Sequence, residues 1–186
     1  MENGGGLDGS SIFFWQVLLL GVGMAVRSGV ILTYPECIMA EVEPCLALLG
    51  PRTHLEVISL DDVEGIAVLP DFLVVPGGSC DAAVVHGPSH RLIQAMDSKG
   101  ALLAGICNGA VVLASAGVLA GKEVTHTAVP KYAPMPRFKE LLAVAEQVFR
   151  GSIYVDADVV QSKNVVTAKP HAAQEFAEAV AAALGV

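Results

Sequence analysis

The chain has 186 residues, 53% hydrophobic and 16% charged, which is enough for one domain of ordinary size and too apolar for a disordered one. Its 11 Lys and Arg against 19 Asp and Glu give a formal charge of −8 with no basic run, so nucleic acid is excluded as the expected partner. Four cysteines, Cys37, Cys45, Cys80 and Cys107, form no CxxC pair; this argues against a disulfide scaffold or a structural zinc site and points to a reducing, cytoplasmic compartment.

Residues 1–27 read as an apolar extension ahead of a domain at 28–186. The run from Ile12 to Val26 resembles a secretory h-region, yet the preceding MENGGGLDGS carries Glu2 and Asp8 and no Lys or Arg. A signal peptide needs a positive start, and the run is shorter than the ~20 residues that span a bilayer. A start of translation at Met24 or a disordered appendage is the favoured expectation, beside a signal or anchor and an extra packed helix. No membrane partner is expected.

From Gly29 onward short apolar runs alternate with segments of helical period, the pattern of strands joined by crossover helices. Val30–Tyr34 is predicted as the first strand and Met39–Leu49 as a helix stopped by Gly50 and Pro51. A strand over Leu55–Leu60 follows, then the continuous apolar run Phe72–Val75, which ends in Pro76-Gly77-Gly78 as a buried strand does before a tight turn. Arg91–Lys99 is amphipathic, Ala101–Ile106 reads as another buried strand, and Gly109–Ala116 suits a helix hidden on most sides. Gly121–Thr127 is predicted as a strand, Ala128–Arg137 with its three prolines as a loop, and Phe138–Phe149 as a helix. Strands near Ile153–Val155, Val159–Gln161 and Asn164–Thr167 precede a last helix over His171–Leu184. The sum is a three-layer α/β/α sandwich with a flavodoxin-like, doubly wound, mostly parallel sheet, whose ligands bind at the carboxyl ends of the strands.

The strongest chemical signal is Ala104-Gly105-Ile106-Cys107-Asn108-Gly109-Ala110, where an apolar strand meets G-x-C-x-G and then a helix. This is a nucleophile elbow with Cys in place of Ser. The helix N-terminus there is expected to favour thiolate over thiol and so to lower the pKa of Cys107.

Four motifs are similar to the ThiJ/PfpI family, that of the Parkinson-disease-associated protein deglycase within the class I glutamine amidotransferase-like superfamily. They are FLVVPGG at 72–78, GICNGAVVLASAGVL at 105–119, GKEVTH at 121–126 and NVVTAKPHAAQEFA at 164–177, in the family's order. The resemblance covers the chain from Val30 to its end. It implies a carboxylate in contact with the nucleophile, at the position of Glu41, with Glu36 and Glu43 as local rivals. An oxyanion hole made by the N–H groups of Gly78 and Asn108 is implied as well, where fixed amide dipoles stabilise charge that builds up on substrate. Where many members carry a His directly after the nucleophile, this chain has Asn108, so that form of a Cys-His-acid triad is absent. His126 matches a His position used by other branches and is a candidate proton shuttle. Cys80, two residues beyond Gly78, is a candidate resolving thiol, with a role-free loop Cys as the plainer alternative. His171 reads as a helix-start residue, and His54, His86 and His90 belong to no motif.

The resemblance therefore implies a cofactor-independent Cys-dependent lyase or hydrolase, glyoxalase- or deglycase-like, acting on small electrophilic carbonyl compounds with Cys107, Glu41 and His126. The alternative is a redox stress sensor or chaperone working through oxidation of Cys107. An isocyanide hydratase-like or peptidase-like hydrolase is a further alternative. Neither a metal nor a nucleotide site is expected, since GxGxxG is missing and the glycines belong to the elbow and its partner turn. A homodimer is implied by the family, though no residue shows which surface it uses.

Overall fold

The computed structural model describes residues 26–129, 131 and 147–186. Among the described residues eight strands are formed: β1 (Ser28–Thr33), β2 (His54–Ser59), β3 (Phe72–Val75), β4 (Leu102–Ile106), β5 (Glu123–Val124), β6 (Ile153–Tyr154), β7 (Val159–Ser162) and β8 (Val165–Ala168). Six of them make one sheet in the order β2-β1-β3-β4-β8-β7. Every pairing in it is parallel except the β7–β8 hairpin. Five α-helices lie wholly within the described residues: α1 (Glu43–Leu49), α2 (Asp81–Val84), α3 (Gly87–Ser98), α4 (Gly109–Ser115) and α5 (Ala173–Leu184). This is the expected doubly wound sandwich.

The two layers of helix follow from the period of the strands, because successive side chains leave a strand on opposite faces. In β3, Leu73 and Val75 join one core with Leu92, Ile93 and Met96 of α3 and the apolar side of α4. Phe72 and Val74 face the other way, into a core with Leu49 of α1 and Phe176, Val180 and Leu184 of α5. The winding reverses between β1 and β3: the chain leaves β1 outward to β2, then crosses back to build β3, β4 and β8. Such a switch point leaves a crevice at the carboxyl ends of the two strands, free of crossing chain. Tyr34, which follows β1, and the turn after β3 both lie there.

Several boundaries differ from the sequence expectation, each for a local reason. The expected helix over Met39–Leu49 is a 3₁₀ turn at Met39–Glu41 followed by α1, because Pro44 in the first turn of α1 has no N–H to carry a ladder through from Met39. Helix α3 begins at Gly87 rather than Arg91, with Pro88 in its first turn and the His86 Nδ1 accepting the Ser89 N–H at 3.2 Å. A 3₁₀ segment at Leu60–Gly65 and the short α2 were not expected. Only Glu123–Val124 of the expected strand at 121–127 is a strand, and it pairs with β6 in a separate two-stranded sheet. Just beyond it the Thr125 N–H donates to the Thr167 side chain at 2.8 Å, so a hydroxyl of β8 takes the bond that a strand neighbour would have made.

The loop expected over 128–137 and the helix over 138–149 lie for the most part outside the described residues. So does the extension at 1–27, but for Val26 and Arg27. Among the described residues no helix is long and apolar enough to cross a membrane.

Candidate active site

Strand β4 is buried along its length and delivers Cys107 to the edge of the crevice. The Cys107 N–H still donates to the Ala168 carbonyl of β8 at 2.9 Å, so the ladder holds up to the nucleophile itself. Here the backbone turns sharply, with Cys107 at φ 55, a left-handed conformation that costs a residue with a Cβ roughly 1–2 kcal/mol. Helix α4 starts two residues later and packs directly on the end of β3. A side chain on Gly109 would collide with the carbonyl oxygens of Val75 and Pro76. The spacing G-x-C-x-G is thus the condition for strand, turn and helix to meet here.

Facing Cys107 is the turn after β3. Its Gly77 lies so close that an added Cβ would stand 2.5 Å from the Cys107 Cβ and 2.8 Å from Sγ. Nearly every polar backbone group of this turn has a partner. The Pro76 carbonyl accepts from the Tyr34 hydroxyl at 2.6 Å, the Gly77 carbonyl from the Ile38 N–H at 2.8 Å, and the Gly78 carbonyl from Asn108 Nδ2 at 2.7 Å. The Gly77 N–H donates to Glu41 Oε2 at 2.8 Å, and the Ser79 N–H reaches the Glu36 carbonyl at 3.4 Å. That leaves the Gly78 N–H, which is directed at the Cys107 sulfur together with the N–H of Asn108. Gly78 holds this orientation at φ +118, open only to glycine.

Of the three candidate carboxylates, Glu36 and Glu43 are exposed and Glu41 is buried. Glu41 comes from the 3₁₀ turn that Pro44 separates from α1, and its carboxylate hydrogen-bonds with the Cys107 thiol as well as with Gly77.

Burial, and after it the Glu41 charge, push the Cys107 thiol up to about 12, against the pull of the Asn108 and Gly78 N–H groups. This corrects the expectation of a lowered pKa. The helix end and the turn act in the expected direction, but loss of water and a neighbouring negative charge outweigh them.

The structure thus brings together Cys107, Glu41, Gly78 and Asn108. His126 is placed differently: only 4% exposed, its ring stacks on Phe149 with centroids 3.7 Å apart and meets Tyr154 at 5.0 Å. Burial lowers its pKa to about 4, and its Nδ1 has no hydrogen-bond partner. Cys80 is buried at the N-terminus of α2, and its thiol is pushed up to about 11 by burial and then by the Asp81 charge. All four cysteines are free thiols. His171 is exposed and lies 3.1 Å from the Asp158 carboxylate.

Two features were not read from the sequence. Tyr34 could have been noticed as a hydroxyl at the end of the first strand of a doubly wound sheet. The role of the Asn108 side chain, as distinct from its N–H, had no sequence signal. Among the described residues no group of His, Cys, Asp and Glu could hold a metal ion. A second cleft, lined by Ser28, Gly29, His54, Glu56, Asp61 and Asp62, runs from the amino end of β1 along β2, and no cysteine lines it.

Comparison with known proteins agrees with this fold. In sequence, the chain is 30% identical over 130 residues to an uncharacterised protein of Methanocaldococcus jannaschii, an overlap covering 67% of this chain and 55% of that one. In structure, it is similar to a two-domain protein of Anabaena variabilis with DJ-1/ThiJ/PfpI-like and ferritin-like domains, at TM-score 0.69 and 22% identity over 86% of this chain and 50% of that one. The chain therefore spans about half the length of these relatives. Drosophila melanogaster DJ-1beta matches at TM-score 0.67 and 23% identity, over 84% of this chain and 89% of its own. With the DJ-1/PfpI family profile matching residues 52–183, from just ahead of β2 into the last helix, the chain belongs to the DJ-1/PfpI family.

Proposed function

We propose that this chain is a cofactor-independent cysteine enzyme acting on small electrophilic carbonyl compounds, glyoxalase- or deglycase-like in its chemistry. The observation that carries the reading is the pairing of the buried Cys107 thiol with the buried Glu41 carboxylate beneath two backbone donors. With the thiol held near 12, the resting enzyme keeps the proton on sulfur, and attack on substrate has to be coupled to its transfer to Glu41.

For a 2-oxoaldehyde the steps balance as follows. The S–H proton passes to Glu41 while Sγ bonds to the aldehyde carbon, and the carbonyl electron pair moves onto oxygen, facing the N–H groups of Gly78 and Asn108. Glu41 returns its proton to that oxygen. The hydrogen on the attacked carbon then leaves as a proton to Glu41 and is delivered to the adjacent carbonyl carbon, while the hydroxyl proton passes to the oxygen of that adjacent carbon. The product is a thioester of a 2-hydroxy acid, which water cleaves to release the acid and restore the thiol.

The test is to incubate the full chain and its Cys107→Ser variant with methylglyoxal, following lactate release together with the mass of the protein. Lactate formed by the parent and not by the variant supports the reading. Absence of turnover with a selective gain of two oxygens at Cys107 under mild peroxide overturns it in favour of redox sensing.

A further inference from the structure

We propose that Glu36 is a specificity residue whose carboxylate, held at the rim of the crevice by a strained turn, disfavours anionic carbonyl compounds at Cys107 relative to neutral ones. The turn follows β1 and is closed by the Cys37 N–H donating to the Tyr34 carbonyl at 3.1 Å, with Pro35 and Glu36 as its central residues. Glu36 stands at φ 61. Proline cannot take a positive φ, so a positive value at the second central residue alone makes this a type II turn, where glycine is the ordinary occupant. A glutamate there costs the fold stability, as the left-handed backbone does at Cys107. No contact of the side chain offsets that cost: the residue is exposed, and among the described residues its carboxylate joins no hydrogen bond and no ion pair. What the turn uses at position 36 is backbone, since the carbonyl accepts the Ser79 N–H at 3.4 Å. Strain that the fold does not need is characteristic of functional positions.

The place of the turn says what the charge does. Cys37 pairs with Gly78 in an isolated antiparallel bridge, and the Ile38 N–H donates to the Gly77 carbonyl at 2.8 Å, so the segment is fastened to the PGG turn. A Cβ on Gly78 would come within 2.3 Å of the Glu36 carbonyl oxygen, and the N–H of that same glycine is directed at the Cys107 sulfur. One glycine thus separates the Glu36 backbone from the nucleophile. A charge on a side chain rooted there acts over a distance comparable with the Debye length, ~8 Å at physiological salt, and is screened only in part. The N–H groups of Gly78 and Asn108 are neutral dipoles that favour the oxygen of any attacked carbonyl. The Glu36 carboxylate is what discriminates: it repels a compound that brings its own carboxylate to the sulfur and leaves a neutral 2-oxoaldehyde unopposed.

This inference rests on the reading that Cys107 attacks carbonyl carbon, but its first test needs no substrate. Iodoacetamide and iodoacetate form the same bond to sulfur and differ in charge, so the ratio of their rates at Cys107, read by peptide mass spectrometry on the full chain at one pH, measures the field at the nucleophile. At low salt, Glu36→Gln raises the rate of iodoacetate relative to iodoacetamide about threefold, the Coulomb factor for a unit charge ~10 Å away in a largely aqueous dielectric, and Glu36→Lys raises it about tenfold. At high salt both gains shrink toward unity. Glu36→Asn, which suits the left-handed backbone, gives the same gain as Glu36→Gln and melts no lower than the parent. An unchanged ratio in Glu36→Gln and Glu36→Lys overturns the proposal, as does a change that persists at high salt, which marks altered shape. A lower melting temperature in Glu36→Asn overturns it too, by giving the side chain a structural part. In turnover, the preference for methylglyoxal over γ,δ-dioxovalerate, a 2-oxoaldehyde that ends in a carboxylate, narrows about threefold in Glu36→Gln, by the same Coulomb factor. If neither compound is turned over, the proposed reaction falls, and the alkylation ratio still decides whether Glu36 filters charge at Cys107.

Discussion

Cys107 and His126 are both buried, and burial is the first cause of an unusual pKa in each. Around Cys107 lie two amide donors, a carboxylate and a turn whose polar groups are nearly all spoken for. Around His126 lie aromatic rings and an unpartnered ring nitrogen. A perturbed titration therefore does not by itself mark a working group. What separates the two is whether the surroundings are prepared to receive a moving charge.

The largest expected effect on this contrast is at Cys107. Replacing it by Ser should lower turnover of a 2-oxoaldehyde by ~1,000-fold or more, as expected for a nucleophile; residual lactate release within tenfold of the parent would move the chemistry elsewhere.

His126 should register first in stability. Because its folded pKa lies near 4, below its ordinary 6.5, the unfolded chain binds a proton that the folded one refuses. Its contribution is then present above pH 6.5 and is lost as the pH falls toward 4, by up to about 3 kcal/mol. Urea unfolding of the parent against His126→Phe across that range checks this, since the variant should lose that part of the slope. A kcat reduced a hundredfold in the same variant would break the contrast by giving His126 a part in the reaction.

Glu41→Gln comes next. It should lower kcat by roughly 100-fold while leaving KM within a few-fold, since it removes proton transfer and keeps the shape. It should also speed Cys107 alkylation, because the charge that raises the thiol's pKa is gone. Slower alkylation would reverse the assigned electrostatics.

The smallest change is at Asn108, whose side chain fixes the Gly78 carbonyl but makes no charge. Asn108→Ala should cost about 1 kcal/mol of stability for the lost hydrogen bond and roughly tenfold in kcat, measurable by melting and steady-state rates. A hundredfold loss would raise its side chain to a direct role.

How far the sequence could be read depends on the range of the forces involved. The buried strands β3 and β4 were legible because a strand covered on both faces needs an unbroken apolar run, and Phe72–Val75 and Leu102–Ile106 have one. The elbow was legible because its glycines answer to close packing within a few residues. Glu41 came from family resemblance, and its burial and its contacts with Cys107 and Gly77 separate it from Glu36 and Glu43. The division at Pro44 was open to a stricter reading of proline in a first turn, whereas β5 was overextended because pairing depends on a distant partner. Least legible was the Cys107 pKa. A helix end can be seen in a string of letters, but the loss of water around a thiol is a sum over the whole fold.

The left-handed backbone at Cys107 has an evolutionary consequence. An ordinary buried side chain is retained because removing it weakens the fold. At position 107 the strain relieved by glycine, about 1 kcal/mol, is similar to the extra chain entropy glycine brings to the unfolded state. Folding stability thus offers the thiol little protection. In a lineage that ceased to use the chemistry, this is where a glycine would be accepted early, while Gly77 and Gly109 stayed fixed by packing. The residue at position 107 then records whether a descendant still performs the reaction, independently of how well it folds.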